Sequence, residues 1–192
     1  MDMNAETATD EQLIKQFAQG DGAALGILFS RYKLKIIEFI AWTTPEHREH
    51  ADDIMQEVFM KVCRNPDAFK GRSRFKSWLY GVARLTALDW RRNFFRRIAA
   101  KVSIRTDSER QLDEIPEIAP QQIERLIRME DSKRLHEAIS RLPGKLKTVL
   151  LLREWEELDY GEISNILEIP VGTVRSRLHN ARALLASSLS VE

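Results

Sequence analysis

Wherever this chain is apolar, its apolar residues return every third or fourth position, and no stretch alternates with a sustained period of two. A strand shows the same face every second residue and a helix about every 3.6, so the pattern predicts an all-α fold. Leu25, Leu28, Phe29, Tyr32, Ile36 and Ile40 mark the inner face of one helix, which Asp21 can cap. A shorter helix before it, ending near Gly20, can be capped by Asp10. Ala51, Ile54, Met55, Val58, Phe59 and Val62 mark a third helix from about Glu49 to Arg64. "NPDAFKGRSR" is a loop by its Asn-Pro, Gly and Ser content, and Ser73 can then cap a fourth helix reaching to about Arg97.

Residues 103–121, "SIRTDSERQLDEIPEIAPQ", break the periodicity: they are polar, acidic and interrupted by Pro116 and Pro120. The expected organisation is two small helical domains joined by a flexible linker, with 1–99 as the first, 100–121 as the linker and 122–192 as the second. Helices are expected near 122–140 and 143–156, and the linker should let the two halves move independently.

The net charge of +1 hides a sharp division. Residues 70–105 carry eleven basic side chains against Asp89 alone, while the segments before and after are acidic. A chain with one block this basic is built to meet something negative there, although a solvated helix face is the plain alternative. Other classes fall away. The apolar run "IIEFIAW" is broken by Glu38, far short of a membrane span, and the N-terminus is too acidic and polar for a secretory signal. The single cysteine, Cys63, excludes an internal disulfide; with no signal, the cytoplasm is the expected location. Cys63 itself is expected near the core face as an inert small residue. His47 and His50 form a His-x-x-His with no further ligand motif and are expected on the surface, so no metal and no cofactor are assigned. There is no phosphate-binding glycine loop and no nucleophile signature, so no enzyme is expected.

The stretch "VGTVRSRLHNAR", Val171 to Arg182, joins two patterns. Val174, Leu178, Ala181 and Leu185 share one helix face, while Gly172, Arg175, Ser176, His179 and Arg182 lie toward the other. Before it, Tyr160, Ile163, Ile166 and Leu167 make a short amphipathic helix, and "EIP" supplies a tight turn. A donor-rich second helix after a short turn is the helix-turn-helix arrangement, in which the apolar set docks the helix and the donors read the major groove. Thr173 and the first-turn amides can hold a phosphate.

"YGEISNILEIPVGTVRSRLHNARALL" resembles the C-terminal promoter-binding region of bacterial sigma factors of the extracytoplasmic-function (ECF) group, and "ISRLPGKLKTVLLLRE" resembles that region's leading helices. Upstream, "QGDGAALGILFSRY", "ADDIMQEVFMKV" and "FKGRSRFKSWLYGVARLTALDWRRN" resemble successive parts of the group's first domain. The resemblance implies three sites. Asp53, Gln56, Glu57 and Met60 would dock on core RNA polymerase, at the β′ clamp, with the β subunit as a further contact. Phe69, Lys70, Arg72, Arg74, Lys76, Tyr80, Arg84 and Arg91 would recognise and melt the −10 promoter element, the loop Phe69 to Arg74 taking a flipped base. Thr173, Arg175, Ser176, Arg177, His179, Asn180 and Arg182 would meet the −35 element. Trp78 and Trp90 are expected in the core. Leu85 and Asn180 depart from residues common in the group (Asn and Arg), which leaves the preferred bases open. An anti-sigma factor is a further implied partner, and no insertion into a membrane is expected. A stand-alone helix-turn-helix regulator is the alternative, and it leaves the first domain's motifs unused.

Overall fold

The structure, a computed structural model, describes residues 8–101 and 133–190. Among them every regular element is helical: α1 (Asp10–Ala18), α2 (Gly22–Thr43), α3 (Ala51–Arg64), α4 (Phe75–Lys101), α5 (133–141), α6 (Gly144–Glu154), α7 (Tyr160–Leu167) and α8 (Val171–Leu189). Two 3-10 turns, Pro45–His50 and Pro66–Ala68, lead into and out of α3. The expected linker and the start of the helix near 122 lie outside the described residues.

The helix starts show which caps are local. Asp21 caps α2, its carboxylate accepting the Ala23 N–H at 2.9 Å. At α1 the cap is Thr9, not Asp10: the Thr9 hydroxyl accepts the Gln12 N–H and the Gln12 side chain accepts the Thr9 N–H. Asp10 is thereby free to pair with Arg31 at 2.8 Å and to accept the Tyr32 hydroxyl, tying α1 to α2. Nor does Ser73 cap α4. Its hydroxyl donates to the Arg74 carbonyl, and the Phe75 N–H instead donates to the Glu11 carboxylate of α1 at 2.9 Å. A cap supplied from a distant helix has no signature in the local sequence.

Packing follows the apolar periodicity closely. All six inner residues expected of α3 are buried, as are Leu28, Tyr32, Ile36 and Ile40 of α2. Each such Leu or Ile contributes about 1.5–3 kcal/mol by leaving water. The N-terminal helices pack in sequence, α1 on α2, α2 on α3 and α3 on α4, while α8 lies against α6 and α7. The two halves also pack on one another, α4 against α7 and α2 against α6, within one continuous apolar cluster. The Trp42 ring of α2 lies 4.3 Å from the His136 ring of α5, tilted by 50°, and the Lys147 ammonium of α6 lies 5.9 Å from the Trp42 ring. The halves therefore do not sit apart as independent bodies.

Two surface expectations are corrected. His47 is fully buried, because its non-helical backbone (φ −127°) breaks the 3-10 turn and places the ring 4.6 Å from Phe94. Cys63 is exposed, since the neighbouring Val62 takes the inward position in the last turn of α3.

Candidate nucleic-acid interface

The helix-turn-helix is built as its residues dictate. Asp159 and Glu162 form a capping box at the start of α7, with bonds of 2.8 and 2.9 Å. Glu168 ends the helix in the left-handed region (φ 55°), and the Ser164 hydroxyl donates to the Ile169 carbonyl at 2.5 Å to fix the turn. Pro170 then opens α8, supplying no side-chain cap and leaving the first-turn N–H groups without one. Val174, Leu178 and Ala181 are buried and Leu185 is partly so. Gly172, Arg175, Ser176, His179, Asn180 and Arg182 are exposed, whereas Thr173 and Arg177 are half-buried. The Arg175 guanidinium lies 5.9 Å from the Tyr160 ring, and Arg182 pairs with Glu154 at 2.5 Å.

On α3, Asp53, Gln56 and Met60 are exposed, an apolar thioether beside a carboxylate and an amide. Glu57 is different. It is half-buried, accepts the Trp90 indole N–H at 2.9 Å and lies 3.7 Å from Lys61. Of the four residues assigned to polymerase docking, Glu57 also holds α3 to α4.

The −10 set divides in the same way. Lys70, Arg72 and Arg74 are exposed, and Gly71 turns the loop at φ 68°, a left-handed conformation that favours glycine. Phe69 packs between Phe75 and Trp78, both 5.6 Å away, so it braces the loop. Trp78 and Trp90 are partly buried against the core. Leu85 is 50% exposed. Tyr80, expected beside Lys76 and Arg84 on an open face, is instead fully buried, edge-on to Phe39 at 5.1 Å. Burial, then the Glu156 carboxylate, push its hydroxyl far above the usual range. Phe39 of α2 lies against the ring, and Glu156 of the C-terminal half stands at its hydroxyl.

The covering contacts are polar and specific. The Arg74 guanidinium grips Glu162 through both ends, Nε to Oε1 at 2.6 Å and a second nitrogen to Oε2. The Ser77 hydroxyl donates to the same carboxylate. The Lys76 ammonium donates to the Glu156 carbonyl at 2.7 Å and pairs with its carboxylate at 3.0 Å. Arg84 donates to the Ile166 carbonyl at 3.2 Å. Burial raises the Glu162 carboxyl, but the bonds from Arg74, Ser77 and the Asp159 N–H outweigh it and hold the group at about 2. Sequence reasoning missed Glu156, Glu162 and Ser77. Glu162 carries a local signal only as a cap, and nothing local points to a partner 88 residues away.

Further round the same junction, Arg84 and Arg91 of α4, Lys145 of α6 and Arg177 of α8 line a cavity of 460 Å³ with no carboxylate among its lining residues. No group of three or more His, Cys, Asp or Glu among the described residues is placed to hold a metal ion, and no described helix is long and apolar enough to cross a membrane.

Two families match this chain. Sigma-70 region 2 matches residues 28–97, the α2–α4 unit, and Sigma-70 region 4 matches residues 132–185, the α5–α8 unit. The chain is 34% identical over 194 residues to the ECF RNA polymerase sigma-E factor of Haemophilus influenzae, covering 96% of this chain and 97% of that one. It is also 34% identical over 187 residues to the RNA polymerase sigma-H factor of Pseudomonas aeruginosa, covering 94% and 93%. Among solved structures, CnrH in complex with the cytosolic domain of CnrY shares the fold at a TM-score of 0.63 and 21% identity, over 94% of this chain and 96% of that one. The sigma factor RpoE in complex with the anti-sigma factor NepR from Bartonella quintana does so at 0.59 and 20%, over 85% and 98%. With both regions present in order and relatives matched end to end, the chain belongs to the ECF group of RNA polymerase sigma factors, which direct the polymerase to promoters.

Proposed function

We propose the following division of labour within this sigma factor. The exposed row Asp53, Gln56 and Met60 on α3, with Glu57 behind it, docks on the β′ clamp of core polymerase, where acidic and amide groups suit a basic helical partner. The loop Phe69 to Arg74 and the cationic side of α4 hold the −10 strand, phosphates on Arg and Lys and bases on the aromatic shelf. Arg175, Ser176, His179 and Asn180 on α8 reach base edges of the −35 element, while Thr173, Arg177 and Arg182 meet its backbone. The protein performs no chemistry of its own, works in the cytoplasm and answers to an anti-sigma factor, as its relative RpoE is seen bound to NepR.

The observation that carries this reading is α8: a helix whose buried face is wholly apolar and whose open face is a row of donors, held by a fixed turn. Transcription in vitro with purified core polymerase tests it. Start sites that share −35 and −10 sequences are expected, and transcription that starts equally without this protein would refute it.

A further inference from the structure

We propose that Tyr160, the first residue of α7, is a positioning residue for promoter recognition, its ring the platform that holds the Arg175 guanidinium ready for a base edge of the −35 element. The inference rests on the reading of Arg175 as a residue that meets bases, and it adds what aims that side chain. The Arg175 guanidinium carbon lies over the Tyr160 ring, 5.9 Å from its centroid, within the range in which a cation is attracted to an aromatic face. Arg175 is exposed, and among the described residues its side chain makes no ion pair and no hydrogen bond. A guanidinium attracted through its face keeps its in-plane N–H groups for a planar acceptor such as the N7 and O6 edge of guanine.

The ring is itself fixed. Tyr160 is half-buried against the apolar core, and the capping box of Asp159 and Glu162 sets the start of α7 at this point. From α6, Arg153 lies over the same ring at 5.3 Å, and its guanidinium is tied to the Leu158 carbonyl at 2.9 Å. Arg182 also stands beside Tyr160, but it pairs with Glu154. Arg153 and Arg182 thus have acceptors within the fold, whereas Arg175 keeps its donors. A surface arginine samples many rotamers, and docking on a base must freeze them; a ring that already holds the head group reduces that loss. An arginine free to swing can also compensate for a wrong base by reaching a neighbouring base or phosphate. One held on a ring cannot, so the platform sharpens discrimination as well as affinity.

The test measures binding of holoenzyme to a promoter and to its single-base −35 variants. Arg175→Ala first identifies the base pair whose discrimination depends on that side chain. There Tyr160→Leu is expected to lower discrimination about two- to fivefold, the size of an exposed cation–π contact, with the other −35 positions unchanged. Tyr160→Phe, which keeps the ring, should keep the discrimination. In an Arg175→Ala background Tyr160→Leu should add nothing further, the mark of two residues acting as one. Tyr160→Met, apolar and similar in reach, is the second variant should Leu lower the melting temperature. Undiminished discrimination in the Leu and Met variants, where Arg175→Ala still loses it, overturns the platform and leaves the reading of Arg175 standing. Equal loss at every −35 position, or a loss in the Phe variant, also overturns it, by placing the effect in the fold or in the hydroxyl. If Arg175→Ala weakens all variants alike, the base-reading assignment has failed and the platform with it.

Discussion

Replacing Glu162 by Gln removes one charge from the α4–α7 contact and little else. Gln serves in a capping box as well as Glu does, so the start of α7 keeps its reciprocal bonds to Asp159. In the folded chain the Glu162 carboxyl sits at about 2, against an ordinary 4.5. Before screening, a lowering of that size corresponds to about 3 kcal/mol of stability at neutral pH. The side chain is only 12% exposed, but its partner Arg74 is 58% exposed. Solvent screening on the Arg74 side brings the expected cost of Glu162→Gln down to about 1–2 kcal/mol. A carboxyl depressed by folding stabilises above its unfolded value and loses that contribution as pH falls through its folded value. The gap between wild type and variant should thus be complete above about pH 5, shrink to roughly half or less by pH 3, and vanish below about pH 2. Urea unfolding followed by circular dichroism at pH 7, 5, 4 and 3 measures that gap. A difference that stays constant over this range would mean that shape, not charge, is what Gln disturbs.

Asp53→Arg with Gln56→Arg should abolish binding to core polymerase at unchanged circular dichroism; Glu57→Arg should in addition destabilise the fold by about 1–3 kcal/mol, by leaving the Trp90 indole unpaired. Lys70→Ala with Arg72→Ala should leave closed promoter complexes but reduce permanganate reactivity of −10 thymines, whereas Phe69→Ala should first lower the melting temperature, because the ring braces the loop. Arg175→Ala should cost about 1–3 kcal/mol and relax preference at one −35 base pair in holoenzyme binding across single-base variants. Arg182→Ala should weaken all variants alike and flatten the salt dependence, since that residue lies further along the exposed face.

What could be read in the sequence is what one helix decides for itself. Val174, Leu178 and Ala181 are buried because a period of about 3.6 leaves them no other side once the helix packs at all. The same holds for the inner row of α3 and for the Asp21 cap, whose donor is two residues away. Tyr80 obeys a different rule. Its place on α4 near Lys76 and Arg84 was legible, but a position faces solvent only if nothing else covers it, and Phe39 of α2 and the turn that carries Glu156 both reach it. The Phe75 amide takes its acceptor from Glu11, 64 residues back, by the same logic. Cation-rich faces are where this rule matters most. A face this rich in Lys and Arg needs acceptors, and its charges take those that the other half of the fold brings. Here those acceptors are a helix cap and a strained turn, each with an ordinary local reading. The junction becomes visible only when both halves are seen together. Its residues carry no motif because each partner lies in the other half of the chain, out of reach of any local pattern.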